Sequence, residues 1–486
     1  MNQRLIGIIL GLAIISLVIV AIFRSNFLMA GMAVALFYLA PTAGRPSWWW
    51  MASIATLGSG ITMGLPGDAN LHLLVILGFL VLMIIRLSIL RGRDTAPSVP
   101  RKACIALLFI IVLTASYRGW GFKILDSTFW GGMQYVSLIA ALLFYIYSSR
   151  VAVSWPQFGG MLRWFFLLSL LPAIALLIAH SLPAGEWINN IIAIGENETE
   201  TAGVQWQAPE VSRWAFMQYP AIWMGVLGLF LYDRRFKFTP FMILVSVLSF
   251  IMLGLSGHRT VVVLLGLTTL VYMAIRRRSV RWSQFLKLSG VLVLLIAMIY
   301  LSAGQLPLAF QRAFAWLPGI QVSYEAGIDA SNTSEWRITL WKPLLEMVPD
   351  YLWMGRGMAF SINDANAASA LVSDRETKHI FFTVVHLYHN GPLWFLLDLG
   401  LAGLVAGLFF MVGGIMHYGR QLHRIPDGSL WKTAYVVFYS FFVGYCLFFF
   451  TVIGGGTFLC HILIVAAMLE VIVRSVEAEA EQEASG

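Results

Sequence analysis

The stretch VVHLYHNGPLWFLLDLG, residues 384–400, sets His386, His389, Asn390 and Asp398 at the head of an otherwise apolar run. Elsewhere Arg259 stands in SGHRTVVVLLGL, Arg213 in EVSRWAFMQYP and Arg337 in WRITLWKPLLEMVPDYLWMGRG. Histidine transfers protons near neutral pH. Arginine presents a planar fork of donors that matches phosphate oxygens. Taken singly, each residue has a plainer reading. An arginine at a span end snorkels to headgroups, and a lone interfacial histidine packs. Taken together they suit an anionic lipid headgroup with a proton moving beside it.

The elements that must position these residues are membrane spans. Of 486 residues, 59% are hydrophobic and 12% are charged, against about 25% charged in a soluble domain. Apolar runs long enough to cross a bilayer recur from end to end. The fold class expected is all-α, a polytopic helical membrane protein. It has about 14 spans and one large loop between the eleventh and twelfth. The first apolar run, near residues 4–22, is too long for the core of a cleaved signal and reads as the first span. Cys104, Cys446 and Cys460 all fall in apolar segments, where cysteine serves as a small hydrophobe. The net charge of +8 sits in short loops between spans and does not indicate nucleic acid.

Those cationic loops fix orientation. Arg86 to Lys102, Arg234 to Lys237, Arg276 to Lys287 and Arg420 to Lys432 alternate to one side, which the positive-inside rule makes cytoplasmic. The expected organisation has N-terminal spans in 1–180 and an outer loop at 181–213. Core spans follow in 214–303, then a large outer loop at 304–390, C-terminal spans in 391–474 and a cytoplasmic tail at 475–486. Arg213, Arg259, Arg337, His386 and His389 then share the outer face. Within the large loop, residues 336–350 read as a short amphipathic helix starting near Pro343, able to lie on the membrane and roof a cavity. Gly355 and Gly357 read as a tight turn. Asp398 would lie roughly 13 Å deeper than His389 along a helix, either accepting a hydrogen bond from a neighbouring span or extending the polar site inward.

HNGPLWFLLDLGLAGLVAGLFF resembles the stretch that closes the large periplasmic loop in the O-antigen ligase and polymerase superfamily. SGHRTVVVLLGL resembles that family's Ser-x-x-Arg-Thr turn. WRITLWKPLLEMVPDYLWMGRGMAF is similar to its loop pattern of Arg, Trp, Pro, Gly-x-Gly and Phe. RWAFMQYPAIWMGVLGL is a looser match, lacking the usual Gly and Asn-Pro-Asn. The resemblance spans roughly residues 210–420.

It implies a bacterial inner-membrane glycosyltransferase with its active site facing the periplasm. The donor would be a glycan on undecaprenyl pyrophosphate. The acceptor would be a lipid A-core sugar, a second lipid-linked glycan or a protein hydroxyl, with no metal and no cofactor. It further implies Arg259 as the chief pyrophosphate ligand, with Arg213 and Arg337 behind it. His389 would be general base or acceptor-orienting group, and His386, Asn390 and Asp398 would support it. A polymerase joining repeat units is the alternative within this chemistry. A transporter or flippase would place ionisable residues at mid-span or show paired broken helices. Here the polar residues gather at one interface, and no internal repeat is visible.

Overall fold

The computed structural model describes residues 46–57, 98–121, 132–171, 217–235, 239–276, 296–369, 378–452 and 454–485, with further short stretches between them. Among these residues the protein is helical throughout, apart from one two-residue ladder. That ladder pairs β1 (Phe129–Trp130) antiparallel with β2 (Phe360–Ser361). Five helices are long and apolar enough to cross a membrane. They are α2 (Val99–Arg118), α7 (Arg259–Arg276), α12 (Gly391–Gln421), α13 (Leu430–Thr451) and α14 (Gly456–Ser485). Shorter apolar helices include α3 (Gly132–Ser148) and α6 (Pro240–Ser256). The expected all-α membrane fold is what the structure has. The spans expected before residue 46 lie outside the described residues.

Helix α13 is the hub. It packs on α7, on α14 and on α5 (Gln218–Arg235). Its sequence YVVFYSFFVGYCLFFF is bulky on every side, so it has no lipid-facing stripe. Accordingly 83% of its most apolar window is buried inside the protein, against 28% for α7 at the periphery. Gly444 lets the two helices approach, since a Cβ there would lie 3.0 Å from the backbone nitrogen of Thr268. The far ends of α5 and α7 are tied by a buried ion pair. Arg276 donates through Nε (2.7 Å) and Nη2 (2.6 Å) to the two Asp233 carboxylate oxygens. Tyr272 adds a third donor at 2.8 Å. With both charges forked together and hydrogen-bonded, the cost of burying them is offset. Arg259 and Arg276 thus mark opposite ends of α7, a helix about 27 Å long at 1.5 Å per residue.

The large loop is mostly helical. It holds α8 (Leu308–Phe314), α9 (Tyr324–Tyr351), α10 (Ile362–Ser369) and α11 (Lys378–Val384). The amphipathic helix expected near Pro343 begins far earlier and runs for 28 residues, capped by the Ser323 hydroxyl, which accepts from Ala326 N. Pro343 and Pro349 lie inside it. A proline is a plausible first-turn residue, but here Ser323 supplies the stronger start signal.

Helix α12 is not continuous. Gly400 has φ 74° and ψ −174°, which breaks the helical hydrogen-bond pattern. A break at membrane depth is tolerated only if other protein groups satisfy the freed backbone. The turn after α9 does so. Arg356 N donates to Leu397 O (2.7 Å), Gly357 N to Asp398 O (3.1 Å), and Leu401 N donates to Leu352 O (2.6 Å). Both loop glycines are required there. Gly355 has φ +65°, and a Cβ on it would meet Asp398 O at 2.4 Å. Gly357 has φ +79°, with the Tyr135 hydroxyl 2.8 Å from its would-be Cβ. That hydroxyl in turn accepts from Met358 N at 2.7 Å, and Arg118 Nε donates to Gly355 O at 2.9 Å.

Gly355→Ala is therefore expected to lower stability by well over the ~1–2 kcal/mol that a left-handed backbone alone costs. Gly428→Ala is the control, since φ is +78° there with open space around it. Thermal unfolding of the purified protein in detergent compares the two. Equal losses would contradict the wedge.

Candidate functional site

Helix α6 ends at Ser256, and Gly257 caps it in the left-handed conformation at φ 62°. The Ser256 hydroxyl accepts from His258 N at 3.2 Å, and α7 starts at once with Arg259. The tight turn puts the N-terminus of α7, with its exposed N–H groups and positive dipole end, on one wall of a cavity. The cavity measures about 240 Å³ and is lined by Gly257, His258, Arg259 and Thr260 on that wall. Arg312, Trp316, Arg337, Val263 and Val452 complete it. Three arginines line one cavity, and among the described residues no carboxylate lines it. Arg337 feels this directly. Burial first, and then the neighbouring charge of Arg259, push its guanidinium below its ordinary value. The Arg337 Nε is buried without a hydrogen-bond partner among the described residues. Such a cavity favours an anion with several oxygens.

The sequence-predicted residues divide between this cavity and a second cluster. Arg259 and Arg337 come together at the cavity. Arg213 lies outside the described residues. His389 is not among the lining residues, although its chain neighbourhood adjoins them. Gly391, two residues on, packs against Phe449 and Gly454, which flank the lining residue Val452. Asn390 caps α12, its side-chain oxygen accepting from Leu393 N at 2.9 Å.

His386 and Asp398 form the second cluster, away from the cavity lining. Asp398 does accept hydrogen bonds, but from the segment just before its own helix and not from a neighbouring span. The segment 386–390 folds back over the start of α12, so that His386 Nδ1 lies 2.8 Å from Asp398 Oδ1 and the Tyr388 hydroxyl donates to the same oxygen at 2.8 Å. His386 is 2% exposed and Asp398 0%. On the other edge of the imidazole, Arg356 Nη2 stands 3.0 Å from Nε2. A guanidinium can only donate, so Nε2 accepts and Nδ1–H donates to Asp398. Arg356 also donates to the carbonyls of Thr383 (2.7 Å) and Val384 (3.3 Å). Burial holds the His386 imidazole below its ordinary value; Asp398 opposes that shift and Arg356 adds to it. Burial and Asp398 together raise the Tyr388 phenol well above its ordinary value.

His386 and His389 are the only described non-glycine residues with positive φ, at 63° and 51°. Histidine tolerates this region better than most residues, yet the conformation is strained and persists only where neighbours impose it. Both neighbours of His389 are fixed. Tyr388 is held by its hydroxyl and by its carbonyl, which accepts from Trp341 Nε1 at 2.8 Å, and Asn390 is held by its cap. Sequence reasoning missed Arg312, Arg356, Tyr388 and Trp341 as parts of these two clusters. Only Arg356, framed by two glycines, carried a local signal. Among the described residues no three His, Cys, Asp or Glu side chains converge to hold a metal ion.

A polytopic helical membrane protein with an arginine-lined cavity beside a helix N-terminus is the class that fold and site define. Residues 244–408 match the family model described as O-antigen ligase, a span that takes in every residue of the two clusters from Arg259 to Asp398. The match supports placing the chain in the O-antigen ligase and polymerase superfamily, whose members in general transfer lipid-linked glycans. No curated protein matches the chain.

The depressed value at His386 has a pH consequence. Below the unfolded value near 6.5, the unfolded chain takes up a proton that folded His386 does not. The residue therefore subtracts stability as pH falls from about 6.5 towards the folded value, and contributes nothing above that window. Thermal unfolding should show a steeper loss between about pH 6.5 and pH 5 in the wild type than in His386→Gln. Parallel curves would show that His386 takes up its proton equally in both states.

Proposed function

We propose that the protein transfers a glycan from undecaprenyl pyrophosphate to an acceptor hydroxyl at the periplasmic face of the bacterial inner membrane, without a metal and with inversion at the anomeric carbon. The observation that carries this reading is the cavity in which Arg259 and Arg337 meet at the N-terminus of α7. Orientation rests on the positive-inside reading of the cationic loops, which span alternation in the sequence assigns to the side opposite to this turn.

In the reaction the acceptor oxygen bonds to the anomeric carbon as the bond to the phosphate oxygen breaks. The electron pair leaves with the diphosphate, where Arg259 and Arg337 stabilise the developing charge, with Arg213 a further donor ligand. The acceptor proton passes to His389, which serves as general base. Its strained backbone, anchored on both sides, fixes where the side chain starts without reorganisation. Asp398 and His386 act on His389 only by fixing its segment.

Purified protein with a polyprenyl-pyrophosphate glycan and candidate acceptors, assayed in chelator, tests the reading. Transfer to a lipid A-core acceptor would identify a ligase, and lengthening of the lipid-linked glycan a polymerase. His389→Ala is expected to slow transfer by about 10²–10⁴-fold, and Arg259→Ala by about 10²–10³-fold. Full activity in both variants would refute the assignment.

A further inference from the structure

We propose that Arg312, on α8, is a third anion ligand of the cavity and gives it a preference for diphosphate over monophosphate. The inference rests on the reading of the cavity as the donor pyrophosphate site. Helix α8 is short, yet it is fixed on several sides. Phe310 presses on α6, where a Cβ on Gly254 would stand 2.0 Å from the ring. Phe314 stacks on Phe250 at 5.9 Å between centroids. Gln311 Nε2 donates to Leu306 O at 2.8 Å, and Gln311 Oε1 accepts from Ser323 N at 2.6 Å. These contacts tie α8 both to the helix preceding Arg259 and to the start of α9, which carries Arg337. Arg312 thereby sits on a helix anchored on both sides, and it is the most buried of the three at 6% exposed.

Burying a guanidinium beside two others is costly by desolvation and by like-charge repulsion. Burial and the charge of Arg259 press on Arg337 in this way. An orthophosphate offers four oxygens around one centre, which two forked guanidiniums already engage. A diphosphate carries a second phosphorus and more charge, and a further forked guanidinium engages it without drawing donors from the first. Arg312 stands on the wall contributed by the large loop, together with Trp316 and Arg337, and so addresses the part of the anion that Arg259 and the α7 N-terminus do not.

Calorimetric titration of the full-length protein in nanodiscs with inorganic pyrophosphate and with orthophosphate tests this. The wild type is expected to bind pyrophosphate at least about tenfold more tightly than orthophosphate. Arg312→Gln should lose most of that preference by weakening pyrophosphate alone, and Arg259→Gln should weaken both anions. If the wild type binds neither anion, the reading of the cavity fails and Arg312 with it. If Arg259→Gln weakens binding while Arg312→Gln matches the wild type for both anions, only the role of Arg312 is overturned. Arg312→Lys keeps the charge but not the fork, and covers the case where Arg312→Gln does not fold. A reduced preference in Arg312→Lys supports the proposal, and an unchanged preference refutes it.

Discussion

A polypeptide that breaks a helix inside a membrane must satisfy the backbone groups it releases, because lipid offers no hydrogen bonds. At Gly400 that constraint is met by the turn Met354–Gly357, whose N–H groups reach the freed carbonyls of Leu397 and Asp398. Much of the site's order follows from this one junction. It docks the end of α9 against α12 and so fixes the helix that carries Arg337 and Trp341. It also brings Arg356 to the edge of the His386 ring. Without the break, α12 would offer no acceptors, and the large loop would have no backbone anchor on the bundle at this point.

The side-chain cluster built on the junction gives Asp398 a role that its position in an apolar run left open. A carboxylate at full burial is expensive unless donors surround it. Asp398 receives the Nδ1–H of His386 and the hydroxyl of Tyr388, both from the segment that precedes α12. Its consequence is geometric. Two residues in the left-handed region are sustained only because side-chain and backbone bonds on either side over-determine them. His389 is one of the two, and Trp341 and Asn390 complete its frame.

Much of this was legible in the sequence, for physical reasons that differ by feature. Spans such as α6 and α7 announce themselves because a membrane helix needs a long apolar run, and their ends carry Thr239 with Pro240, Gly257 and Arg259 as boundary signals. Asn390, Gly391 and Pro392 spell the start of α12. Loop parity put Arg259 and Arg337 on the same outer face, and their meeting at one cavity emerges from the folded chain. What stayed hidden depends on tertiary contact. Nothing local says that Gly400, among the many glycines of a membrane helix, is the one in a broken conformation. Nothing local separates Arg312 from an ordinary loop arginine. The separation of His386 from the cavity was hidden too, since two histidines three residues apart look like one site until the chain between them is seen to turn.

The cavity and the junction also represent opposite uses of burial. At the junction the freed backbone carbonyls and Asp398 Oδ1 find partners, and rigidity results. At the cavity of about 240 Å³, Arg259, Arg312 and Arg337 converge, no carboxylate among the described residues lines it, and the charge of Arg259 opposes that of Arg337. On the proposed reading that repulsion is useful. The work of assembling the cationic site is done when the chain folds, not when the substrate arrives, so an anion is met by donors already in place. The cationic cavity is sustained because the helices that carry the arginines are held by contacts elsewhere: the Asp233–Arg276 pair at the far end of α7, the aromatic packing of α8 on α6, and the backbone wedge at the end of α9.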